Sequence, residues 1–153
     1  LSPLLNSPKL PKYIDWLREQ PLLLALPDNS GYLSHAGLAP DWQVEDAIYW
    51  SQQIHDILLS SNYVDFLPSM YGKKPTKWDN NLTDTDKFKY SINAFTRMRF
   101  CTQNGDLEFN SKHSPNELTD KNLLPWFEYD KKRFKQNKWL FGHWASLMGV
   151  TNN

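Results

Sequence analysis

The sequence predicts a fold of the α/β class. Two short apolar runs, residues 22–26 and 32–34, are separated by a turn rich in Pro, Asn and Gly, which is typical of paired strands. Residues 41–60 instead place their apolar side chains at helical spacing, and they form the clearest amphipathic helix of the chain. A chain that combines short strands with such helices is expected to pack helices against a sheet.

Length and composition predict one packed, soluble domain. The chain has 153 residues and includes seven Trp, seven Tyr and eight Phe, enough aromatic surface to fill a core. Lys and Arg number 17, as do Asp and Glu, so no net field attracts nucleic acid or an anionic membrane. The single cysteine, Cys101, excludes an internal disulfide and favours the cytoplasm. The longest apolar run, residues 21–27, is too short to span a bilayer.

Both ends of the sequence are typical of a truncated chain. The chain begins with Leu1 rather than Met, and it ends at Asn153, shortly after an apolar run that predicts a buried strand. That strand would leave one sheet edge unpaired. We therefore expect residues 1–153 to be a single domain fragment that is truncated at both ends.

The elements follow one another along the chain. Residues 11–20 predict a short helix that starts with a proline and stops at Pro21. After the two strands comes the helix of residues 41–60, for which Asp41 is the expected N-cap. Residues 84–100 also have helical spacing, although their second half, residues 92–100, is compatible with a strand.

Two further features complete this assignment. Asn104-Gly105 stands between apolar runs and is the signal of a β-hairpin with a two-residue turn. A basic run with Lys131, Lys132, Arg133, Lys135 and Lys138 predicts a solvated face rather than a nucleic-acid site.

Two histidines are the first candidate site residues. His35 and His143 each follow an apolar run, so each imidazole is expected at the C-terminal rim of a sheet, where α/β proteins place their sites. Neither spacing is a metal motif by itself, and a packed core histidine is the common alternative. His55 is expected at the boundary of its helix, and His113 lies in a polar loop.

Polar and aromatic residues form a second group of candidates. Asn93, Arg97 and Arg99 lie in an otherwise apolar stretch, where a guanidinium needs an anionic partner, either a phosphate or a core carboxylate. Tyr71 and Trp78 could form an aromatic wall for a base, and core packing explains them equally well.

Four strings of the sequence stand out when they are taken together. They are residues 34–42 (Ser-His-Ala-Gly-Leu-Ala-Pro-Asp-Trp), residues 70–78 (Met-Tyr-Gly-Lys-Lys-Pro-Thr-Lys-Trp), residues 93–101 (Asn-Ala-Phe-Thr-Arg-Met-Arg-Phe-Cys) and residues 141–147 (Phe-Gly-His-Trp-Ala-Ser-Leu). In this order they closely resemble one bacterial enzyme family, the symmetrical bis(5'-nucleosyl)-tetraphosphatases, also called diadenosine tetraphosphatases. The resemblance runs nearly from end to end.

This resemblance implies a fold and an activity. The family belongs to the calcineurin-like metallophosphoesterases, whose fold is a pair of mixed sheets flanked by helices with a two-metal site at the strand ends. The chain resembles the C-terminal part of that domain, with a helix-rich insertion. The implied reaction is the hydrolysis of diadenosine 5',5'''-P1,P4-tetraphosphate to two ADP by a water that two metal ions activate, and the implied partner is this small-molecule substrate.

The resemblance also implies residue roles. His35 and His143 are expected to ligate the same metal ion, and Asn93, Arg97 and Arg99 are expected to contact phosphate. Tyr71 and Trp78 are expected on the nucleotide side of the site. The implied cofactors are two divalent ions, with manganese or cobalt preferred in the family.

The chain departs from the family in one important respect. It has no Gly-Asp-x-His-Gly, Gly-Asp-x-x-x-Arg-Gly or Gly-Asn-His string, which in the family supply the other ligands and the acid histidine. We therefore expect no catalytic residue within the fragment and no efficient turnover by it alone. Two alternatives stay open: a non-catalytic remnant that binds nucleotide or a partner, and a related protein phosphatase.

Overall fold

The computed structural model describes residues 2–135 and 137–149, and within them the chain forms two three-stranded sheets and five α-helices. The α/β class predicted from the sequence is confirmed. The helices are α1 (Ser2–Leu5), α2 (Leu10–Arg18), α3 (Val44–Leu59), α4 (Tyr63–Phe66) and α5 (Asp84–Thr96). The strands are β1 (Leu23–Ala25), β2 (Gly31–Ser34), β3 (Phe100–Thr102), β4 (Leu107–Glu108), β5 (Leu123–Pro125) and β6 (Lys138–Phe141).

The first sheet is mixed and has the order β1-β2-β6. β1 and β2 form the predicted antiparallel pair, with Leu24 opposite Leu33. β6 returns from the far end of the sequence and pairs parallel to β2, with Ser34 opposite Phe141. The two parallel strands therefore end at the same edge of the sheet, and the residues that follow them meet there.

The second sheet is antiparallel and places β3 between β4 and β5. The hairpin predicted between β3 and β4 is confirmed, but the two-residue turn is wrong. Gly105 N–H donates to Thr102 O at 3.0 Å, and Thr102 N–H donates to Asp106 O at 2.8 Å, so three residues form the loop. Gly105 has a φ of +85°, a left-handed conformation that suits glycine and explains the turn signal.

The helices follow the predicted pattern with changes at their ends. α2 and α3 confirm the predicted helices, and three helices, α3 to α5, lie between β2 and β3. The N-cap of α3 is Gln43, not Asp41, because the carboxylate of Asp46 in the first turn accepts from Gln43 N–H at 2.9 Å. α5 ends at Thr96 and β3 begins at Phe100, so the ambiguous segment is helical first and extended afterwards.

An aromatic core joins the two sheets to α5. Trp42, Tyr90, Phe95, Phe100 and Trp126 are fully buried, and their rings contact one another or neighbouring aromatic rings edge to face or tilted. Such packing combines a large buried apolar area with favourable ring geometry. The core therefore fixes the end of α5 against the loop that follows β2.

The basic run is not wholly solvated, and that prediction is wrong for Arg133. Arg133 is buried, and its Nη1 donates to the carbonyls of Ala39 and Trp42 at 2.5 and 2.9 Å. Lys131 and Lys132 are exposed as expected. The arginine thus connects the segment before β6 to the loop that follows β2.

The other face of the first sheet exposes a line of leucines. Leu24, Leu33 and Leu140 lie side by side in the register of β1, β2 and β6, and they are 51%, 42% and 48% exposed. Their neighbours Tyr32, Trp139 and Phe141 point to the covered face and are half-buried. Among the described helices, none is long and apolar enough to cross a bilayer.

Gly31 provides a test of the β2–β6 pairing. A Cβ at this position would overlap the carbonyl oxygen of Lys138 on the neighbouring strand. We expect Gly31→Ala to lower the free energy of unfolding by about 3 kcal/mol because β6 would have to shift. Urea unfolding measures this, and Gly142→Ala is the matched control, since its Cβ would lie 3.7 Å from the nearest atom. Equal stability of the two variants would contradict the tight pairing.

Candidate metal and phosphate site

His35 and His143 meet at the edge where the two parallel strands end. His35 directly follows β2, and His143 follows β6 after one glycine. The imidazole nitrogens His35 Nε2 and His143 Nδ1 are 3.0 Å apart, although 108 positions separate the two residues. The two rings stand edge to face, with their centroids 4.9 Å apart. The structure therefore brings together the two residues that the sequence singled out first.

Backbone hydrogen bonds hold both histidine segments in place. Gly142 N–H donates to His35 O at 3.0 Å, which continues the strand pairing up to the site. Ala36 N–H donates to Phe95 O at 2.6 Å, which ties the segment after β2 to α5. His143 has a φ of +57°, an unfavourable conformation for a residue with a side chain. Arg99 Nη2 donates to the carbonyl of His143 at 3.0 Å and holds this conformation.

Gly37 lets the His35 segment lie directly on the core. A Cβ at Gly37 would be 2.5 Å from Cε2 of Trp126, whose indole is fully buried. Ser34 adds a polar contact, because its hydroxyl oxygen accepts from Trp139 Nε1 at 2.9 Å. The position of His35 thus depends on how closely its neighbours pack on Trp126.

The electrostatic environment favours a neutral ring at His143. Burial lowers the pKa of His143, and the charge of Arg99 and the adjacent ring of His35 act in the same direction. The backbone of Arg97 acts in the opposite direction and raises this pKa. Because only a neutral imidazole nitrogen ligates a metal, the net shift leaves His143 in the form that a metal site requires.

The geometry of the histidine pair fits a shared metal ion. A histidine nitrogen binds zinc-like ions at about 2.0–2.1 Å, so two nitrogens 3.0 Å apart can both reach one ion. Within residues 2–135 and 137–149, no group of three or more His, Cys, Asp or Glu side chains could hold a metal. Within the described residues the pair thus has no third side chain of these types beside it.

The two arginines of residues 93–101 lie beside the histidines. Arg97 Nη1 donates to Asn93 Oδ1 at 3.0 Å and reaches Gly72 O at 3.4 Å, and its guanidinium lies 5.4 Å from the ring centre of Phe109. Among the ion pairs of the described residues, none includes Arg97 or Arg99. The salt bridge considered for these residues is thus not formed there, and their charges remain available to an anion.

Asn93 differs from the arginines, because it is fully buried. Its Nδ2 donates to Gly72 O at 2.9 Å, and its Oδ1 accepts from Arg97. Both ends of the amide therefore already have protein partners.

The two predicted aromatic residues have different environments. Tyr71 is 78% exposed, directly before Gly72. Trp78 is half-buried, and its ring lies 5.2 to 5.4 Å from the rings of Trp42, Trp50 and Tyr90. Tyr71 is thus free to meet a ligand, whereas much of the Trp78 ring is used in the core.

The remaining histidines lie apart from the pair. His55 is half-buried on α3 and lines a separate cleft of about 360 Å³ between that helix and β1 and β2. His113 is exposed, and its carbonyl accepts from Trp144 Nε1 at 3.0 Å. The sequence analysis did not predict that Gly37 and the Phe95 carbonyl position the site. Their roles depend on contacts with residues that are distant in the sequence.

Fold and site define an α/β protein with a two-histidine, arginine-flanked site at the ends of parallel strands. No model of a protein family matches the chain. Curated relatives do match, and all three below are named symmetrical bis(5'-nucleosyl)-tetraphosphatase. The protein of Colwellia psychrerythraea is 43% identical to this chain, and the match covers 100% of the chain. The protein of Aliivibrio fischeri (strain ES114) is 38% identical over 99% of the chain, and the protein of Shewanella sp. (strain ANA-3) is 39% identical over 100% of the chain.

The chain spans a little over half the length of these relatives, 58%, 56% and 56% respectively. The family predicted from the four strings is confirmed: the chain is homologous over its whole length to a part of the symmetrical bis(5'-nucleosyl)-tetraphosphatases. That this part is the C-terminal one stays a prediction.

The packing of Gly37 on Trp126 generates a prediction. Gly37→Ala should lower the free energy of unfolding by about 2 kcal/mol, because the added methyl group overlaps the indole. The smaller ring of Trp126→Phe makes room for the methyl group. The two substitutions together should therefore lower the free energy of unfolding by about 1 kcal/mol less than the sum of their separate effects. Urea unfolding of both single variants and the double variant measures the coupling. Strictly additive effects would show that the two residues do not touch.

Proposed function

We propose that this chain is the part of a metal-dependent dinucleoside tetraphosphate hydrolase that contributes two histidine metal ligands and two phosphate-binding arginines. The observation that carries the proposal is the 3.0 Å approach of His35 Nε2 and His143 Nδ1, beside Arg97 and Arg99. The names of the relatives support the substrate, since they specify a bis(5'-nucleosyl) tetraphosphate and symmetrical cleavage.

In the proposed reaction, diadenosine 5',5'''-P1,P4-tetraphosphate and one water give two ADP. Two bound divalent ions, Mn²⁺ or Co²⁺ by the resemblance, would activate the water and offset charge on the attacked phosphate. His35 and His143 would hold one of these ions through neutral ring nitrogens. Arg99 and the carbonyl of Phe95 would keep the two histidine segments in position.

The arginines would bind the polyphosphate chain. A guanidinium has five N–H donors in a planar fork that suits phosphate oxygens. Within the described part of the chain, Arg97 uses only Nη1 and Arg99 only Nη2 in hydrogen bonds. The other donors are available to a polyphosphate, whose charge in the transition state they would stabilise. We do not propose Asn93 as a direct contact, because its amide is buried and already paired.

Tyr71 is the residue that we propose for stacking on a nucleobase. Its exposed ring is next to Gly72, whose carbonyl is tied to Arg97, so base and phosphate would be bound close together. Trp78 packs against Trp42 in the core, so we do not propose it as an open stacking surface. The balanced charge of the chain supports a small-molecule substrate over nucleic acid, and we propose the cytoplasm as its compartment.

We further propose that the 153 residues are inactive alone. Two histidines do not complete a two-metal site, and the family strings that supply the other ligands are absent from the sequence. Residues of a longer protein, comparable in length with the relatives, would supply the remaining ligands.

Metal binding by the histidine pair is directly testable on this chain. We expect His35→Ala and His143→Ala each to weaken Co²⁺ binding by about tenfold or more, because each removes one of the two nitrogens. Titration followed by cobalt absorption measures the affinity. His113→Ala is the matched control, since His113 is exposed and outside the pair. A control that weakens binding as strongly as the two variants would contradict the assignment.

The activity test compares this chain with a form extended through its adjoining coding sequence. We expect release of ADP from diadenosine tetraphosphate, with Mn²⁺ or Co²⁺, from the extended form only. Nucleotide binding without hydrolysis in either form would overturn the enzyme and favour a binding remnant. Hydrolysis of a phosphopeptide in place of the dinucleotide would favour a protein phosphatase.

A further inference from the structure

We propose that Asn93 is a positioning residue that sets Arg97 and the Tyr71–Gly72 loop at one fixed spacing from the histidine pair. The proposal rests on the proposed function. It replaces a direct phosphate contact by an indirect role, in which a buried amide determines how the substrate's base and phosphates are bound together.

The first support is the hydrogen bonding of Asn93. The residue is 0% exposed on the last turns of α5. Its Nδ2 donates to Gly72 O at 2.9 Å, and its Oδ1 accepts from Arg97 Nη1 at 3.0 Å. An amide offers a donor to the carbonyl and, on a separate atom, an acceptor to the guanidinium. A carboxylate would lose the donor, and an aliphatic side chain would lose both.

The second support is the geometry at Arg97. Its backbone N–H and that of Met98 both donate to Asn93 O at 3.0 Å, so one residue holds both the main chain and the side chain of Arg97. The ring of Phe109 also lies against the guanidinium, with its centre 5.4 Å from Cζ. A long, flexible side chain is thereby restricted, which reduces the entropy lost when it binds an anion.

The third support is the loop that Asn93 anchors. Gly72 has a φ of +123°, and its carbonyl is shared by Asn93 Nδ2 and Arg97 Nη1. Tyr71 directly precedes this carbonyl and is exposed. One buried amide therefore connects the proposed base-stacking residue to the proposed phosphate-binding residue. A ligand that needs both, a nucleoside with a polyphosphate chain, would depend on this connection, whereas a small phosphodiester would not.

The test uses the extended, metal-loaded form and two substrates. Diadenosine tetraphosphate has base and polyphosphate, and bis(p-nitrophenyl) phosphate has neither. Misplacement of a binding group by about 1 Å can cost about 100-fold in rate, so we expect Asn93→Ala to lower kcat/KM for the dinucleotide about 10- to 100-fold. Hydrolysis of the small diester should fall at least about threefold less, because it can lose the contact to Arg97 but has no base for Tyr71 to bind.

Two further variants make the result specific. Ser91→Ala is the matched control, since Ser91 is also fully buried on α5 but bonds only to Lys87 O. It should leave the ratio of the two activities unchanged.

Asn93→Asp keeps the acceptor for Arg97 and loses the donor to Gly72, so we expect it to raise KM for the dinucleotide with a smaller change in kcat. Arg97→Ala should cost less when it is added to Asn93→Ala than when it is made alone, because Asn93→Ala already removes part of the effect of Arg97.

The outcomes separate the two proposals. If the unsubstituted extended form does not hydrolyse the dinucleotide, the proposed function fails. If it does, equal losses on both substrates, or no loss, would overturn the positioning role alone. Should Asn93→Ala not fold, as judged by thermal unfolding, Asn93→Asp decides: an unchanged KM for the dinucleotide would overturn the proposal.

Discussion

The parallel pairing of β2 with β6 is the contact on which the rest of the molecule depends. It joins segments more than 100 positions apart. It also places His35 and His143 side by side, just beyond the C-terminal ends of the two paired strands. The pairing in turn requires Gly31, because any side chain there would overlap the opposing carbonyl of Lys138. A site at strand ends is positioned by the sheet, so main-chain hydrogen bonds, together with the contact from Arg99 to the His143 carbonyl, place the two imidazole nitrogens 3.0 Å apart.

The end of α5 is the second organising element. Within a few residues it bonds to the segment after β2 through Phe95, to the loop at Gly72 through Asn93, and to His143 through Arg99. The helix end thus fastens three segments that are distant in sequence, and the aromatic core holds it from behind. This arrangement explains why an otherwise apolar stretch contains an asparagine and two arginines: each makes a contact that no apolar residue could make.

The described residues combine a firm scaffold with two features that call for additional groups. Two facing histidines have no third His, Cys, Asp or Glu side chain beside them in the described residues, and three aligned leucines leave one face of the first sheet exposed to water. The two features lie on the same sheet, since Leu33 and Leu140 belong to the strands that carry the histidines. In the proposed function both are explained by one circumstance, that the chain works as part of a longer protein such as its relatives.

The sequence by itself determined the helices α2 and α3, the β1–β2 pair, the position of the hairpin and the family, because periodicity, turn residues and motif strings are local signals. Where a local signal competed with a distant contact, it misled: Arg133 is buried against the carbonyls of Ala39 and Trp42 although its neighbours are lysines. Only the tertiary structure decided that His35 and His143 face each other, that Trp126 covers Gly37 and that the amide of Asn93 is already paired. These are contacts between remote segments, and their free energy depends on a packing arrangement that no short window of sequence contains.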